Sequence, residues 1–369
     1  MLRSCATLVT MVLLATCVQA QDGDGNAAWK TDWAKRSIDL DELMSGGPPK
    51  DGIPSINHPS FVSVKEAGQW LASQEPVIAL AIEGVARAYP LQVMTWHEIA
   101  IDEVGGVPVV VTFCPLCYSA VAYDRRVDGQ VLTFGVSGML RHSDLVMFDR
   151  QTESLWQQLN GEAIVGTYTG TKLRAVPAQI ISFEQFARAY PDGAVLSRET
   201  GHYRDYGRNP YVGYDDINER PFLYRGPRDK RLPPMEKVVA FSLGEVDKAY
   251  PHSLTRAQRV VHDVVDGTPL VVFHDDGAVS ALDQSQISAS KEIGSTGVFE
   301  ARLDGQPLTF SYQDGRFVDQ ETGSTWDITG QAVSGDLEGQ RLRPIPHGDF
   351  FSFAWFVFKP DTQLYQAEQ

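Results

Sequence analysis

Residues 75–90, EPVIALAIEGVARAYP, form two runs of alternating apolar residues around a Glu-Gly pair, and residues 236–251, EKVVAFSLGEVDKAYP, follow them without a gap. Period-two alternation about a two-residue turn predicts a β-hairpin in each place. The match runs on past the hairpin. Tyr89 and Tyr250 stand 161 residues apart, and so do Pro108 and Pro269. DGQVLTF (Asp128–Phe134) matches DGQPLTF (Asp304–Phe310), QTESLW (Gln151–Trp156) matches ETGSTW (Glu321–Trp326), and GTKLRAVP (Gly170–Pro177) matches GQRLRPIP (Gly339–Pro346). Order and spacing hold through each unit, the signature of an internal duplication.

Each unit reads as short strands with a few short helices. VPVVVTF is a buried-type strand, and YSAVAYDRR, VLTFGVS and SDLVMF are rich in β-branched and aromatic residues. PLQVMTWHEIA opens with Pro90 at an expected first helical position, SFEQFARAYP is a second short helix, and Ser63-Val64-Lys65-Glu66 is a capping box. The expected class is α+β and β-dominated, with two similar lobes. The boundaries read as a leader at 1–20, an extended arm at 21–62, a first lobe at 63–197, a connector at 198–231 and a second lobe at 232–369.

Bulk properties restrict the function. The 369-residue chain is 43% hydrophobic and 21% charged, as a globular protein is, and its net charge is −15. An acidic surface repels phosphate backbones and anionic headgroups, which disfavours nucleic-acid or membrane-surface binding. MLRSCATLVTMVLLATCVQA carries Arg3, an apolar stretch and small residues up to Ala20, the pattern of a secretory signal peptide. Periplasmic or secreted localisation is expected, and no later run is long enough to span a membrane. LATC at Leu14–Cys17 is the rival lipoprotein reading, weakened by Thr16 where a smaller residue is usual.

Removal of the leader takes Cys5 and Cys17 with it and leaves Cys114 and Cys117, in VVVTFCPLCYSA, as the mature cysteines. A disulfide across so short a loop would restrict the unfolded chain very little. On the 161-residue offset Cys114 falls on Asp275 and His97 on Gln258, so cysteine chemistry belongs to the first lobe alone. Tyr118–Arg126 reads as a strand, so no helix N-terminus is available to acidify a thiol, and the thioredoxin fold is disfavoured. Side chains would have to do so: His97 as proton acceptor, with Arg141 or His142 tuning charge. The same residues allow a metal reading, in which Cys114, Cys117 and His97, with His142 as a further ligand, hold zinc or copper. Met139 or Met147 could supply a thioether to Cu(I). Asp144 and Asp149 could orient a histidine but read first as turn or capping residues. In the connector, Arg204, Tyr206 and Arg208 either pack across the lobe boundary or, with Arg141, bind an anionic substrate. There is no GxSxG, no HExxH and no P-loop.

GGPPKDGIPSI (Gly46–Ile56), ARAYPLQVMTWHEI (Ala86–Ile99), VVVTFCPLCYSA (Val109–Ala120), FGVSGMLRHSDLVMFDRQTESLW (Phe134–Trp156) and DYGRNPYVGYD (Asp205–Asp215) together resemble the bacterial and archaeal family known as domain of unknown function 3179. The resemblance spans nearly the whole mature chain and implies an exported or membrane-associated protein. Some relatives are described as selenoproteins; selenocysteine within CPLC would imply redox or nucleophilic use of Cys114 or Cys117. The chain departs from the family pattern in HEIAID, where an Asn is expected before the Asp, and at His142, which weakens His142 as a ligand.

Three functions follow in order. The first is an exported thiol oxidoreductase cycling Cys114 and Cys117, with a small-molecule or protein thiol partner. The second is a copper- or zinc-binding protein using the pair and His97. The third is a non-catalytic two-lobed binding module.

Overall fold

The computed structural model describes residues 29–367; the predicted leader, with Cys5 and Cys17, lies outside them. Strands dominate: the described residues contain eight sheets of two to five strands and five α-helices of at most seven residues. No described helix is long and apolar enough to cross a membrane.

The opening hairpin forms as the alternation requires. Pro76–Ile82 pairs antiparallel with Val85–Pro90, from Val77↔Pro90 to Ile82↔Val85. Glu83 and Gly84 turn it with φ of 48° and 76°, both positive as in the type I′ turn whose twist suits a hairpin. Helix Leu91–His97 follows, with Pro90 as its N-cap rather than its first helical residue, because the Pro90 ψ of 130° is extended. Ile99–Val104, Val107–Cys114 and Ser119–Asp124 then form an antiparallel sheet. The same order recurs in the C-terminal half: Lys237–Leu243, Val246–Pro251, helix His252–Gln258, Val260–Val265, Thr268–Asp275 and Ser295–Glu300.

Local hydrogen bonds recur with it. Tyr89 donates to Asp102 at 2.7 Å and Tyr250 to Asp263 at 2.9 Å. Asp149 accepts from Thr152 N and Trp156 Nε1 at 2.6 and 3.0 Å; Asp319 accepts from Thr322 N and Trp326 Nε1 at 2.7 and 2.9 Å. Asp149 is therefore a turn-holding residue, as its sequence context suggests.

One hairpin breaks the correspondence. In the N-terminal half Phe134–Arg141 and Asp144–Asp149 are eight and six residues long. In the C-terminal half Phe310–Gln313 and Arg316–Asp319 are four each. The longer hairpin is extended sideways by Leu43–Ser45, which pairs with Met139–Arg141. Its turn, His142-Ser143, has φ of 52° and 75°. Neither residue is the Gly or Asn that such a turn prefers, so holding it costs roughly 1–3 kcal/mol per residue. The main hydrophobic cluster passes through both halves, from Ile78 and Val110 to Phe351 and Trp355, and includes Cys114 and Cys117. The cysteines thus sit inside the core.

Candidate functional site

Cys114 ends its strand and Cys117 closes a tight loop, with Cys117 N donating to Cys114 O at 3.3 Å. Both are free and buried. Tyr118 leaves the loop with φ of 54°, and strand Ser119–Asp124 follows directly. No helix begins here, as the sequence requires, so no helix dipole lowers either thiol.

The long hairpin completes the site. Its strained turn places the Ser143 carbonyl 3.9 Å from Cys114 Sγ, and the next residue, Asp144, lies in the core. The sulfurs of Cys114 and Cys117 and a carboxylate oxygen of Asp144 all lie within 4.8 Å of one another. Asp144 Oδ2 accepts from Gln157 Nε2 at 2.5 Å and from Leu159 N at 3.0 Å, while Oδ1 is buried with no hydrogen-bond partner.

Glu98 is the second acid. It caps helix Leu91–His97 in the left-handed region, φ 58°, an unusual conformation for a residue other than glycine. Its carboxylate is buried, is coupled electrostatically to Asp144, and forms no ion pair among the described residues. Burial first, then Asp144, pushes it up to about 8. Burial likewise raises Asp144 to about 6, against the hydrogen bonds from Gln157 and Leu159. Burial pushes the Cys114 thiol up and the Cys117 thiol up further, and Asp144 adds to both. Burial without compensating positive charge thus raises all four acidic groups above their ordinary values.

The bases expected to supply that charge are engaged elsewhere. His97 Nδ1 donates to Pro54 O at 2.7 Å, and Nε2 accepts from Tyr206 Oη at 2.6 Å. Both ring nitrogens are committed, and burial lowers the imidazole to about 4. Arg141 pairs with Glu42 at 2.8 Å, and His142 contacts the same carboxylate at 3.1 Å. Neither His97 nor His142 joins the described ligand cluster: His97 is held by Pro54 and Tyr206, and His142 by Glu42. This corrects the expectation that they would accompany the cysteines. The connector residues divide similarly: Tyr206 serves His97, Arg204 donates to Tyr203 O at 2.9 Å, and Arg208 reaches Ser285 at 2.8 Å.

Asp144 and Glu98 were not singled out by the sequence. The available signals were the six-residue longer hairpin segment and the 161-residue offset, which places Glu98 opposite Arg259. In the C-terminal half Arg259 also takes a positive φ, 64°, and pairs with Asp276 at 2.7 Å. There the local acid is neutralised by the chain itself.

Beside the cluster is a cavity of about 500 Å³. Leu116 and Leu145, each adjacent in sequence to a cluster residue, form part of its wall, together with Glu98 and the connector residues Tyr211, Tyr214 and Phe222. Tyr214 Oη donates to Leu116 O at 3.1 Å, fastening the connector to the cysteine loop.

Fold and site together define a β-dominated α+β protein with a buried dithiol–carboxylate cluster on one half. The chain belongs to the family described as "Protein of unknown function (DUF3179)", which matches residues 50–362. Neither a curated protein nor a solved structure matches it.

Proposed function

We propose that the N-terminal half binds a transition-metal ion, zinc before copper, through Cys114, Cys117 and Asp144. The observation behind this reading is two thiols and a carboxylate within 4.8 Å in the core, beside a second buried acid. Such a set of groups is stabilised by a cation, and two sulfurs with one carboxylate match the borderline preference of zinc better than the soft preference of Cu(I). Glu98 is the next carboxylate, coupled to Asp144. When bound, the ion would act as a Lewis acid or as a structural crosslink. The chain's own part is to exclude water with Leu116 and Leu145 and to orient Asp144 through Gln157 and Leu159 N. The leader read at 1–20 would place this site outside the cytoplasm.

Dithiol–disulfide chemistry is the second reading, supported by two reduced sulfurs so close together. It is weaker because both thiols are raised by burial, whereas an attacking thiol needs thiolate character. Zinc titration against a competing chromophoric chelator distinguishes the two. One site per chain is expected, absent in C114S and C117S, with affinity rising by about tenfold per pH unit for each thiol proton displaced. A chelator-indifferent protein whose thiols form a readily reducible disulfide would replace the metal reading with the redox one.

A further inference from the structure

The cavity over the cysteine loop has a composition that the metal reading does not use. Its walls are mainly hydrocarbon and aromatic, and its volume of about 500 Å³ falls in the range of small-molecule sites. Cavity walls of this kind select a ligand by the few polar groups in them. The polar residues here are Glu98, Glu219 and Arg220, so carboxylates outnumber guanidinium groups by two to one.

Glu98 is the deep one. It is only 7% exposed and lines the cavity. Its carboxylate has neither a hydrogen bond nor an ion pair among the described residues; burial and Asp144 raise it. A buried carboxyl without a partner costs free energy that a ligand donor recovers. The fold has an alternative at this position, since Arg259 takes the corresponding cap and is paired by Asp276 at 2.7 Å. Aromatic rings complete the picture. Tyr211, Tyr214 and Phe222 line the same space, and aromatic faces attract cations through their quadrupoles.

We propose that this cavity is a binding site for a compact apolar amine, its ammonium group on Glu98 and its hydrocarbon or aromatic body between Leu116, Leu145 and the connector rings. The site lies beside the dithiol–carboxylate cluster, and in the metal-free protein Glu98 is available to it. Glu98 recognises the ammonium by a charge-assisted hydrogen bond, and the apolar wall rejects strongly hydrated cations such as free lysine or polyamines, which carry further charges.

The test is calorimetric titration of the full chain, pre-treated with chelator, with 2-phenylethylamine and with 2-phenylethanol, its isosteric neutral partner. The amine is expected to bind at least about tenfold tighter than the alcohol, as a charged hydrogen bond predicts. E98Q keeps the shape and removes the charge, so it should abolish that preference while leaving alcohol binding within about twofold. L116W puts a larger ring into the cavity wall and should weaken both ligands. Equal affinity for amine and alcohol in the natural protein, no binding of either, or an amine preference that survives E98Q would each overturn the proposal. Because the wild-type comparison is itself decisive, a variant that fails to fold does not rescue it.

Discussion

Around the end of Val107–Cys114 the N-terminal half buries Glu98, Asp144 and two thiols; around the end of Thr268–Asp275 the C-terminal half buries His274, Asp349 and, mostly covered, His252. The second set stands at positions that are hydrocarbon in the first half. Sequence offset and strand pairing align His252, Thr255, His274, Thr296 and Asp349 with Leu91, Met94, Phe113, Ala120 and Ile180. Most polar atoms of the C-terminal five pair within the set, although His274 Nε2 is buried without a hydrogen-bond partner. His252 and Thr296 contact Asp349 Oδ1 at 2.7 and 2.8 Å, and Thr255 contacts His274 Nδ1 at 3.0 Å. The C-terminal set places an imidazole on its buried carboxylate, whereas neither Glu98 nor Asp144 forms an ion pair among the described residues. The same order of strands can bury a carboxylate with an imidazole partner or without one, and the unpaired carboxylates are the ones a cation would stabilise.

This contrast can be broken at several points. C114S or C117S should weaken zinc binding by about 1,000-fold or more, since a hydroxyl does not replace a thiolate; competition with a chromophoric chelator measures it. H252L should destabilise the protein by about 3 kcal/mol in denaturant unfolding at pH 7, because Asp349 loses the partner that offsets its burial. Replacing all five polar residues by their N-terminal counterparts should recover most of that loss, as swapping a buried network for packed hydrocarbon often does. D144N should cost zinc about 10- to 100-fold in affinity without changing its stoichiometry.

The smallest expected effect concerns pH, and its sign differs between the halves. Burial lowers His274 to about 3, below the ordinary imidazole value. The unfolded chain then binds the extra proton, so stability is lost as pH falls from about 6.5 toward 3. Glu98 is raised to about 8. In chelator-treated protein its contribution is complete below about pH 4.5 and lost as pH rises toward 8. Thermal midpoints against pH should show H274F flattening the acid limb and E98Q flattening the neutral one. A variant that flattened the opposite limb would contradict the assignment.

Much of the scaffold was legible because local pattern dictates it. PVIALAI and VARAYP flank a two-residue turn that allows one pairing register, and the structure adopts that register. The strand after CPLC was equally plain from its β-branched and aromatic content. The companions of the cysteines were not. His97 and Glu98 are neighbours, and nothing in WHE says which one turns toward the core. The left-handed cap decides it: His97 closes the helix toward Pro54 and Tyr206, and Glu98 turns to the cavity. Asp144 looked like a turn residue because it follows one. Its role depends on how far the hairpin reaches, a tertiary property. For Tyr206 the sequence leaves packing and substrate binding both open, because connectors without periodicity give no facing information; its hydroxyl bonds His97.

The most direct measurement is elemental analysis of protein purified without chelator, paired with titration of accessible thiols. The account predicts about one zinc per chain, no reactive thiol until the metal is removed, and loss of both properties in C114S. Metal-free protein carrying a reducible Cys114–Cys117 disulfide would contradict it.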